Sequence, residues 1–495
     1  MTKKSRKYIS FFLAVSVMFS VFSCSDKESK EHTESSAEVS TETSTEAPSE
    51  TSTQAPTEEV TVQPVTYDSS KRLLKGNIYD SNGRLLMYTK VSEDGSLKRV
   101  SSESTAVPFA NIITEMSAGY DLTFNDILSS RNPSPVDNNS NVGRSIQITV
   151  DSDVQNAVYD YMKEMNIVGS AVVMRTDGSI LAQVSYPSYN PADVRNTKYD
   201  EKLAWGECGN KAFQNFEPGS CFKIMSEVIC DKYGIYSLYD DGEWTDDGAT
   251  IVNWDHETNK SYPIPDRSLY SAFVSSSNIF FAKAFSQIGE DKVMKDLDDY
   301  FHFITEIDCD FGEIHNNVEV YCNDDLRRTA FGQAYVLTCP IYLATLGREA
   351  VFGDMVKPFV LKNVVDTSDP DRVISAGTKS NEKIASIPVE YRQNLLDAMQ
   401  GVANGLGIYL PDGYTLYAKT GTAETWVGDF LYITGCVKND YDDGEGTYSN
   451  YDTYGSNGSY IIVMQVQNPK EHELEFASQS AHFYQGIINA VFQNQ

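Results

Sequence analysis

The sequence predicts an α+β fold in which helices flank an antiparallel sheet. One observation is a hairpin signal, because the apolar segments 171–174 and 180–184 enclose the turn residues Thr176-Asp177-Gly178. A second is the mostly helical pattern of the middle of the chain. A third is a run of strand-like segments near the end that a helical segment follows, at 415–420, 430–436 and 460–466. Strands on both sides of a helical middle are typical of an α+β domain.

Capping signals and periodicity place the helices. Asp151 or Ser152 is expected to cap a helix over 154–165, and the Pro-Gly pair at 218–219 precedes a helical pattern that continues to Ile229. The last helix is indicated by apolar residues that share one face, namely Phe476, Phe483, Tyr484, Ile487, Ile488, Val491 and Phe492.

The part of the chain that precedes this domain has three segments of different composition. Residues 1–23 combine a basic start with an apolar core, which predicts a signal peptide, and Cys24 resembles the lipidated cysteine of a lipobox that becomes the mature N-terminus. Residues 24–65 are rich in Ser, Thr and Glu and predict a disordered tether. Short strand and turn signals over 66–148 predict a small, β-rich, pedestal-like N-terminal module, and 149–495 form the main domain.

A single uncleaved transmembrane helix is the alternative interpretation of the N-terminus. Its apolar stretch, 11–22, is shorter than the roughly 20 residues that span a bilayer, which favours a signal peptide. Both interpretations place the rest of the chain at the extracytoplasmic face of a membrane, held by a lipid in the first case.

The charge of the chain excludes a nucleic-acid-binding role. The 70 acidic and 40 basic residues give a net charge of -30, whereas a nucleic-acid binder needs a basic surface that replaces counterions. The 8 cysteines form no C-x-x-C pair, and no H-E-x-x-H pattern occurs. The sequence therefore predicts no metal site and indicates no cofactor.

A serine and a lysine lie three residues apart in Ser220-Cys221-Phe222-Lys223, where a helix would place them on one face. A serine hydroxyl is a weak nucleophile that needs a base, and a lysine amine made neutral by burial can serve as one. This S-x-x-K pattern also occurs at 380–383, so by itself it is weakly specific.

Two further motifs follow in the chain. Ser276-Ser277-Asn278 is an S-x-N element ahead of an apolar segment that would hold it rigidly. The segment 419–422, with the sequence Lys-Thr-Gly-Thr, ends a predicted strand, and the small Gly421 is expected to let an extended ligand lie along that strand.

In this order, the three motifs resemble those of the penicillin-recognising serine acyl-transferases. Within that superfamily the chain is similar to the class B penicillin-binding proteins, on segments that include 76–80, 169–191, 210–219 and 331–340. The resemblance covers about 76–492. It implies the transpeptidase fold shared with the serine β-lactamases, in which an antiparallel sheet flanked by helices is joined by a helical subdomain.

The resemblance also implies an activity, that of a peptidoglycan D,D-transpeptidase. Ser220 would attack the carbonyl of a stem peptide that ends in D-Ala-D-Ala, with Lys223 taking its proton and Ser276 protonating the departing D-Ala. β-Lactams would acylate Ser220 in the same way.

The same resemblance implies that the remaining motif residues bind the substrate. Asn278 would hold the peptide amide, Lys419 would supply positive charge, and the segment Thr420-Gly421-Thr422 would bind the terminal carboxylate. The family also implies a partner, a polytopic peptidoglycan glycosyltransferase in the membrane.

Two other functions remain open from the sequence alone. A serine β-lactamase would need a base that activates water against the acyl-enzyme. A β-lactam sensor or cell-wall scaffold would be acylated without turning over. The long spacing between Ser220 and Lys419 and the N-terminal module favour the transpeptidase over the β-lactamase.

Overall fold

The computed structural model describes residues 73–113, 119–132, 141–192, 209–425, 427–445 and 458–494. The predicted signal peptide, Cys24 and the predicted tether lie outside these residues. Within them, no helix combines the length and the apolar character needed to cross a membrane.

The strands are numbered in chain order through the described residues. They are β1 (Ile78–Tyr79), β2 (Leu85–Val91), β3 (Leu97–Ser101), β4 (Ser145–Ile148), β5 (Gly169–Arg175), β6 (Ile180–Tyr186), β7 (Ser237–Asp240), β8 (Glu243–Asp246), β9 (Ala249–Val252), β10 (Ile264–Ser268), β11 (Ile307–Cys309), β12 (Gly312–Ile314), β13 (Asp354–Val356), β14 (Leu361–Asp366), β15 (Asp369–Ala376), β16 (Lys383–Ser386), β17 (Tyr414–Thr425), β18 (Gly428–Asn439) and β19 (Tyr460–Val466).

The helices are numbered in the same way. They are α1 (Ala110–Ile113), α2 (Tyr120–Thr123), α3 (Asn125–Leu128), α4 (Ser152–Glu164), α5 (Lys223–Lys232), α6 (Leu269–Val274), α7 (Asn278–Ile288), α8 (Glu290–Asp299), α9 (Asn323–Thr329), α10 (Pro340–Phe352), α11 (Val389–Leu406) and α12 (Ala481–Gln493). Short 3₁₀ turns also occur, at Lys211–Phe213, Gly219–Phe222, Pro469–His472 and Ala477–Ser480.

A five-stranded antiparallel sheet, in the order β17-β18-β19-β5-β6, forms the centre of the main domain. The β5–β6 hairpin and the three late strands confirm the predicted strands, and 460–466 agrees at both ends. Strand β17 lies at the edge of the sheet, where it pairs Lys419 with Thr434 of β18. One side of the strand that carries the Lys-Thr-Gly motif is therefore left unpaired within the sheet.

Helices cover both faces of this sheet, as the α+β prediction required. Successive side chains of a strand point to opposite faces. Accordingly, Ile461 and Val463 of β19 pack in the core that includes α5, α7 and α10, while Ile462 and Met464 pack in the core that includes α4 and α12.

The predicted helix starts are confirmed within a few residues. Asp151 caps α4, because its side chain accepts hydrogen bonds from the backbone N–H groups of Asp153 and Val154. Pro218 precedes a 3₁₀ turn, Gly219–Phe222, from which α5 continues.

Phe476 is the exception among the residues assigned to the last helix. It precedes the 3₁₀ turn Ala477–Ser480, ahead of α12, and its ring packs against Trp254 with centroids 5.1 Å apart. Its spacing matched the helical period by coincidence, whereas Phe483, Tyr484 and Ile487 are buried on α12 as predicted.

A six-stranded sheet joins the N-terminal part of the chain to later residues, in the order β15-β14-β4-β1-β2-β3. Strand β4 pairs in parallel with β1 and antiparallel with β14, which lies more than 200 residues further along the chain. The short strands of the predicted N-terminal module therefore complete a sheet with the main domain. The boundary at residue 149 stays a prediction.

Candidate active site

Ser220 lies in the 3₁₀ turn Gly219–Phe222, which packs directly against edge strand β17. Gly219 has a φ of +53°, and a Cβ at this position would lie 2.4 Å from the Thr422 carbonyl oxygen. The Gly219 N–H donates to the Gly332 carbonyl at 3.0 Å. Only glycine fits this contact, so the backbone holds Ser220 rigidly beside the strand.

The Lys223 amine joins the first two motifs. Its Nζ lies 3.0 Å from Ser220 Oγ, 3.1 Å from Ser276 Oγ and 2.8 Å from both the Ser276 carbonyl and Asn278 Oδ1. The structure therefore brings together Ser220, Lys223, Ser276 and Asn278, as the motif spacing predicted.

Burial lowers the pKa of Lys223, so that its amine can act as a base. The side chain is fully buried, and removal from water, followed by the nearby positive charge of Lys419, holds its pKa well below the usual 10.5. Desolvation disfavours the charged form of an amine. A neutral Lys223 can accept the Ser220 proton over the observed 3.0 Å.

Lys419 of β17 contacts the same Ser276 hydroxyl. Its Nζ lies 3.1 Å from Ser276 Oγ and 2.9 Å from the Thr420 carbonyl. Burial lowers its pKa to about 8. Ser276 Oγ thus lies between two amines, in an arrangement that can relay a proton.

Ser276 is held in an uncommon backbone conformation, with a φ of +59°. A left-handed conformation at a non-glycine residue costs energy and persists only where surrounding contacts enforce it. Ser277 supplies one of these contacts, because its Oγ accepts the Phe280 N–H at 3.1 Å and so caps α7.

Gly421 has a structural role that the sequence did not indicate. A Cβ at this position would lie 2.6 Å from the Pro218 carbonyl oxygen and 2.9 Å from Cys221 Sγ. The missing side chain makes room for the turn that carries Ser220, and the binding of an extended ligand along this strand stays a prediction. Thr420 and Thr422, on either side, do line the cavity described next.

A cavity of about 610 Å³ opens in front of Ser220. Its walls include the three motifs, the loop that follows β9 and part of α11, with Ser220, Ser276, Asn278, Thr420, Thr422, Trp254, Phe331, Gln333, Gly401 and Phe476 among the lining residues. The ring pair Trp254–Phe476 forms part of this wall. The volume is in the range of pockets that bind small ligands.

The Cys221 side chain is buried and fills space in the core. Its Sγ lies 3.6 Å from the Lys419 carbonyl and 3.7 Å from Thr434 Oγ1, and burial raises the pKa of the thiol to about 11. A thiol with so high a pKa is a poor nucleophile.

Sequence reasoning missed several residues of the site. Asp240 and Asn253 lie beneath the S-x-N motif and bond to it, although they precede it by more than 20 residues. Trp254 and Phe476 line the cavity from two unrelated loops. No local pattern marks these positions, because each depends on contacts made through the fold.

A group of metal-ligand type lies at the surface, formed by Glu306, Glu313 and His315. The imidazole pairs through Nδ1 with Glu306 at 3.0 Å and through Nε2 with Glu313 at 3.2 Å. All three side chains are exposed, and exposed acidic groups of this kind are common without an ion.

A family model and a curated protein both match this chain in sequence. A family model described as the penicillin binding protein transpeptidase domain matches residues 169–489. Penicillin-binding protein 3 from Bacillus subtilis (strain 168) is 26% identical over 359 residues, which cover 66% of this chain and 48% of that protein. The alignment therefore spans about half the length of this curated relative.

Solved structures share the fold. The D,D-transpeptidase domain of a peptidoglycan glycosyltransferase from Eggerthella lenta superposes with a TM-score of 0.66 at 19% identity, covering 85% of this chain and 99% of that one. Penicillin-binding protein A from M. tuberculosis, solved as a ceftriaxone acyl-enzyme complex, gives 0.65 at 18% identity, covering 86% and 99%.

Proposed function

The chain belongs to the penicillin-binding protein transpeptidase family, and from this we propose that it is a serine D,D-transpeptidase of the class B type that cross-links peptidoglycan stem peptides. The observation that carries the proposal is the position of the buried Lys223 amine, 3.0 Å from Ser220 Oγ and 3.1 Å from Ser276 Oγ. A nucleophile, a base and a proton donor within hydrogen-bond reach are what acyl transfer needs.

In the first step, Ser220 Oγ attacks the carbonyl between the two D-Ala residues while neutral Lys223 takes its proton. The negative charge that develops on the carbonyl oxygen is stabilised by the backbone N–H groups of Ser220 and Thr422. Each such donor contributes about 3 kcal/mol at comparable sites. The close packing of Gly219 on the Thr422 carbonyl supports this role, because it holds the two segments side by side.

The C–N bond then breaks, and the leaving amine needs a proton. Ser276 Oγ supplies it and is reprotonated from Lys223, while Lys419 polarises the same hydroxyl. An amine of a neighbouring stem peptide attacks the ester next, its proton returns through the same groups, and Ser220 is released. Thr420 and Thr422 bind the terminal carboxylate near the charge of Lys419.

Asn278 orients the peptide bond that is broken. Its Oδ1 lies 2.8 Å from Lys223 Nζ, and its Nδ2 donates to the Val252 carbonyl at 3.1 Å. The second hydrogen of Nδ2 remains for a carbonyl of the substrate. The same side chain can therefore bind the substrate and position the base.

The lifetime of a covalent adduct tests the proposed activity. We expect a fluorescent penicillin to label the wild-type protein and the label to persist for many minutes, because a transpeptidase has no base that directs water at the ester. With a donor peptide ending in D-Ala-D-Ala and an amine acceptor, mass spectrometry should detect the cross-linked product.

Protein treated first with excess unlabelled penicillin is the control, and it should take up no label. Absence of labelling in the untreated protein would contradict the acyl-transfer mechanism. Loss of the label within seconds would instead indicate a β-lactamase, and a stable label without any peptide product would indicate a sensor or scaffold.

We further propose that the protein is a lipoprotein at the outer face of the bacterial cell membrane. The basic and apolar composition of residues 1–23 supports a signal peptide, and Cys24 at its end supports lipidation. The acidic tether over 24–65 would let the domain stand away from the membrane. A polytopic peptidoglycan glycosyltransferase in that membrane is the proposed partner.

Replacement of the lipidated cysteine tests this anchoring. We expect full-length protein made in bacteria to partition into the detergent phase of Triton X-114, and the Cys24→Ser variant to move to the aqueous phase because it cannot be acylated. The neighbouring Ser25→Ala variant is the matched control. If Cys24→Ser stays in the detergent phase, the anchor is a transmembrane helix instead.

A further inference from the structure

Asp240, at the end of β7, is a fully buried carboxylate outside the three motifs. It accepts the Ser277 hydroxyl at 2.7 Å, the Gly242 N–H at 3.0 Å and the Asn253 amide at 2.9 Å. Arg267 Nε lies 2.7 Å from it and provides the opposite charge. A buried charge is retained only where it is paired and hydrogen-bonded, as this one is.

Asn253 connects Asp240 to the start of α7. Its Nδ2 donates to both carboxylate oxygens of Asp240, at 2.9 and 3.1 Å, which fixes the orientation of the amide. Its Oδ1 consequently faces the helix and accepts the N–H groups of Asn278 at 2.7 Å and Ile279 at 3.1 Å. Asp240 thereby determines which atom of Asn253 meets the helix N-terminus.

Ser275, which precedes Ser276 in the chain, is held by the same buried cluster. Arg267, the ion-pair partner of Asp240, donates through Nη1 to Ser275 Oγ. Ser275, Ser277 and Asn278 are thus all tied to one buried cluster, while Ser276 between them keeps its left-handed φ of +59°.

We propose that Asp240 is a positioning residue for acyl transfer, which acts through Ser277, Asn253 and Arg267 to hold Ser276 within reach of both lysines. The proposal rests on the proposed function, because it assigns Asp240 to the same reaction. Asp240 itself touches neither Ser220 nor the motif lysines in any hydrogen bond of the described residues.

The negative charge of Asp240 also changes the pKa of Lys223, which a purely structural role would not do. Three titratable groups act on the Lys223 amine: Lys419 lowers its pKa, whereas Asp240 and Cys221 raise it. Removing the negative charge of Asp240 therefore lowers the pKa of Lys223 further. Because acylation requires the neutral amine, the acid limb of the pH–rate profile moves to lower pH.

The test is the rate of acylation by a fluorescent penicillin, measured against pH, for wild type and Asp240→Asn. We expect the variant to be acylated up to roughly 100-fold more slowly at its optimum, as for a small misplacement of a reacting group. We also expect its acid limb to lie at lower pH than that of the wild type.

Asp231→Asn is the matched control. Asp231 on α5 is also buried and accepts one amide hydrogen bond, from Asn394 at 2.8 Å, but it makes no contact with the S-x-N motif. Its variant should keep the wild-type rate and the wild-type acid limb, with any loss of stability seen only in thermal unfolding.

A second variant keeps the inference testable if Asp240→Asn does not fold. Ser277→Ala removes one link to the cluster but keeps the charge, so we expect a slower rate with an unshifted acid limb. Unchanged rates in both variants, or equal effects in Asp240→Asn and Asp231→Asn, would overturn the inference. If the wild type itself takes no label, the proposed function fails instead.

Discussion

The Ser220→Ala variant is expected to take up no fluorescent penicillin, while wild-type protein is labelled. Ser220 Oγ lies 3.0 Å from the buried Lys223 amine. Ser380, the serine of the other S-x-x-K match, has no such base. Removal of the nucleophile leaves the cavity intact, so the substrate can still bind but cannot be acylated. Denaturing gel electrophoresis, which retains only covalent label, is the measurement.

The second S-x-x-K match in the chain provides the control. Lys383 is partly exposed and pairs with Asp354 and Glu445, each at 2.9 Å, so it remains a cation and cannot serve as a base for Ser380. We expect Ser380→Ala to be labelled as strongly as wild type. Label retained on Ser220→Ala, or lost from Ser380→Ala, would show that the nucleophile is misassigned.

The Lys223→Met variant is expected to be acylated roughly 10²- to 10⁴-fold more slowly than wild type, since this is the contribution of a positioned general base. Lys232→Met on the same helix is the control, because its amine is ion-paired with Asp296 at 2.5 Å and lies outside the site. Stopped-flow measurement with a chromogenic β-lactam gives both rates. Equal rates for Lys223→Met and wild type would exclude Lys223 as the base.

The pH dependence of the wild-type rate follows from the two buried lysines. Lys223 must be neutral to accept a proton, and its pKa is well below 10.5, so the rate rises with pH and reaches its maximum below that value. Lys419 must stay charged to polarise Ser276 and bind a carboxylate, and its pKa is about 8, so the rate falls above that pH. The profile should therefore be bell-shaped.

Much of this arrangement is visible in the sequence because its signals are local. The hairpin β5–β6 and the cap at Asp151 depend on residues a few positions apart, and the structure confirms both. The S-x-x-K spacing is equally local, and the structure places its serine and lysine 3.0 Å apart. The order of the three motifs added the expectation that distant segments meet at one site.

The remainder depends on contacts between residues far apart in the chain. Asp240 lies beneath Ser277 only because β7 pairs with β10 next to α6 and α7, and nothing in its neighbours along the chain indicates this. Phe476 fitted the helical period yet left the helix to meet Trp254. The close approach of Gly421 to the turn of Ser220 likewise joins segments about 200 residues apart, which no local pattern indicates.

The glycines around Ser220 have a consequence for how inhibitor resistance could evolve. A Cβ at Gly332 would lie 2.1 Å from the Gly219 carbonyl oxygen, one at Gly219 2.4 Å from that of Thr422, and one at Gly421 2.6 Å from that of Pro218. At all three positions the added Cβ would clash with a backbone carbonyl. A single substitution there would therefore displace the turn that carries the nucleophile. Changes that alter the site are thereby directed to side chains of the cavity wall rather than to these three glycines.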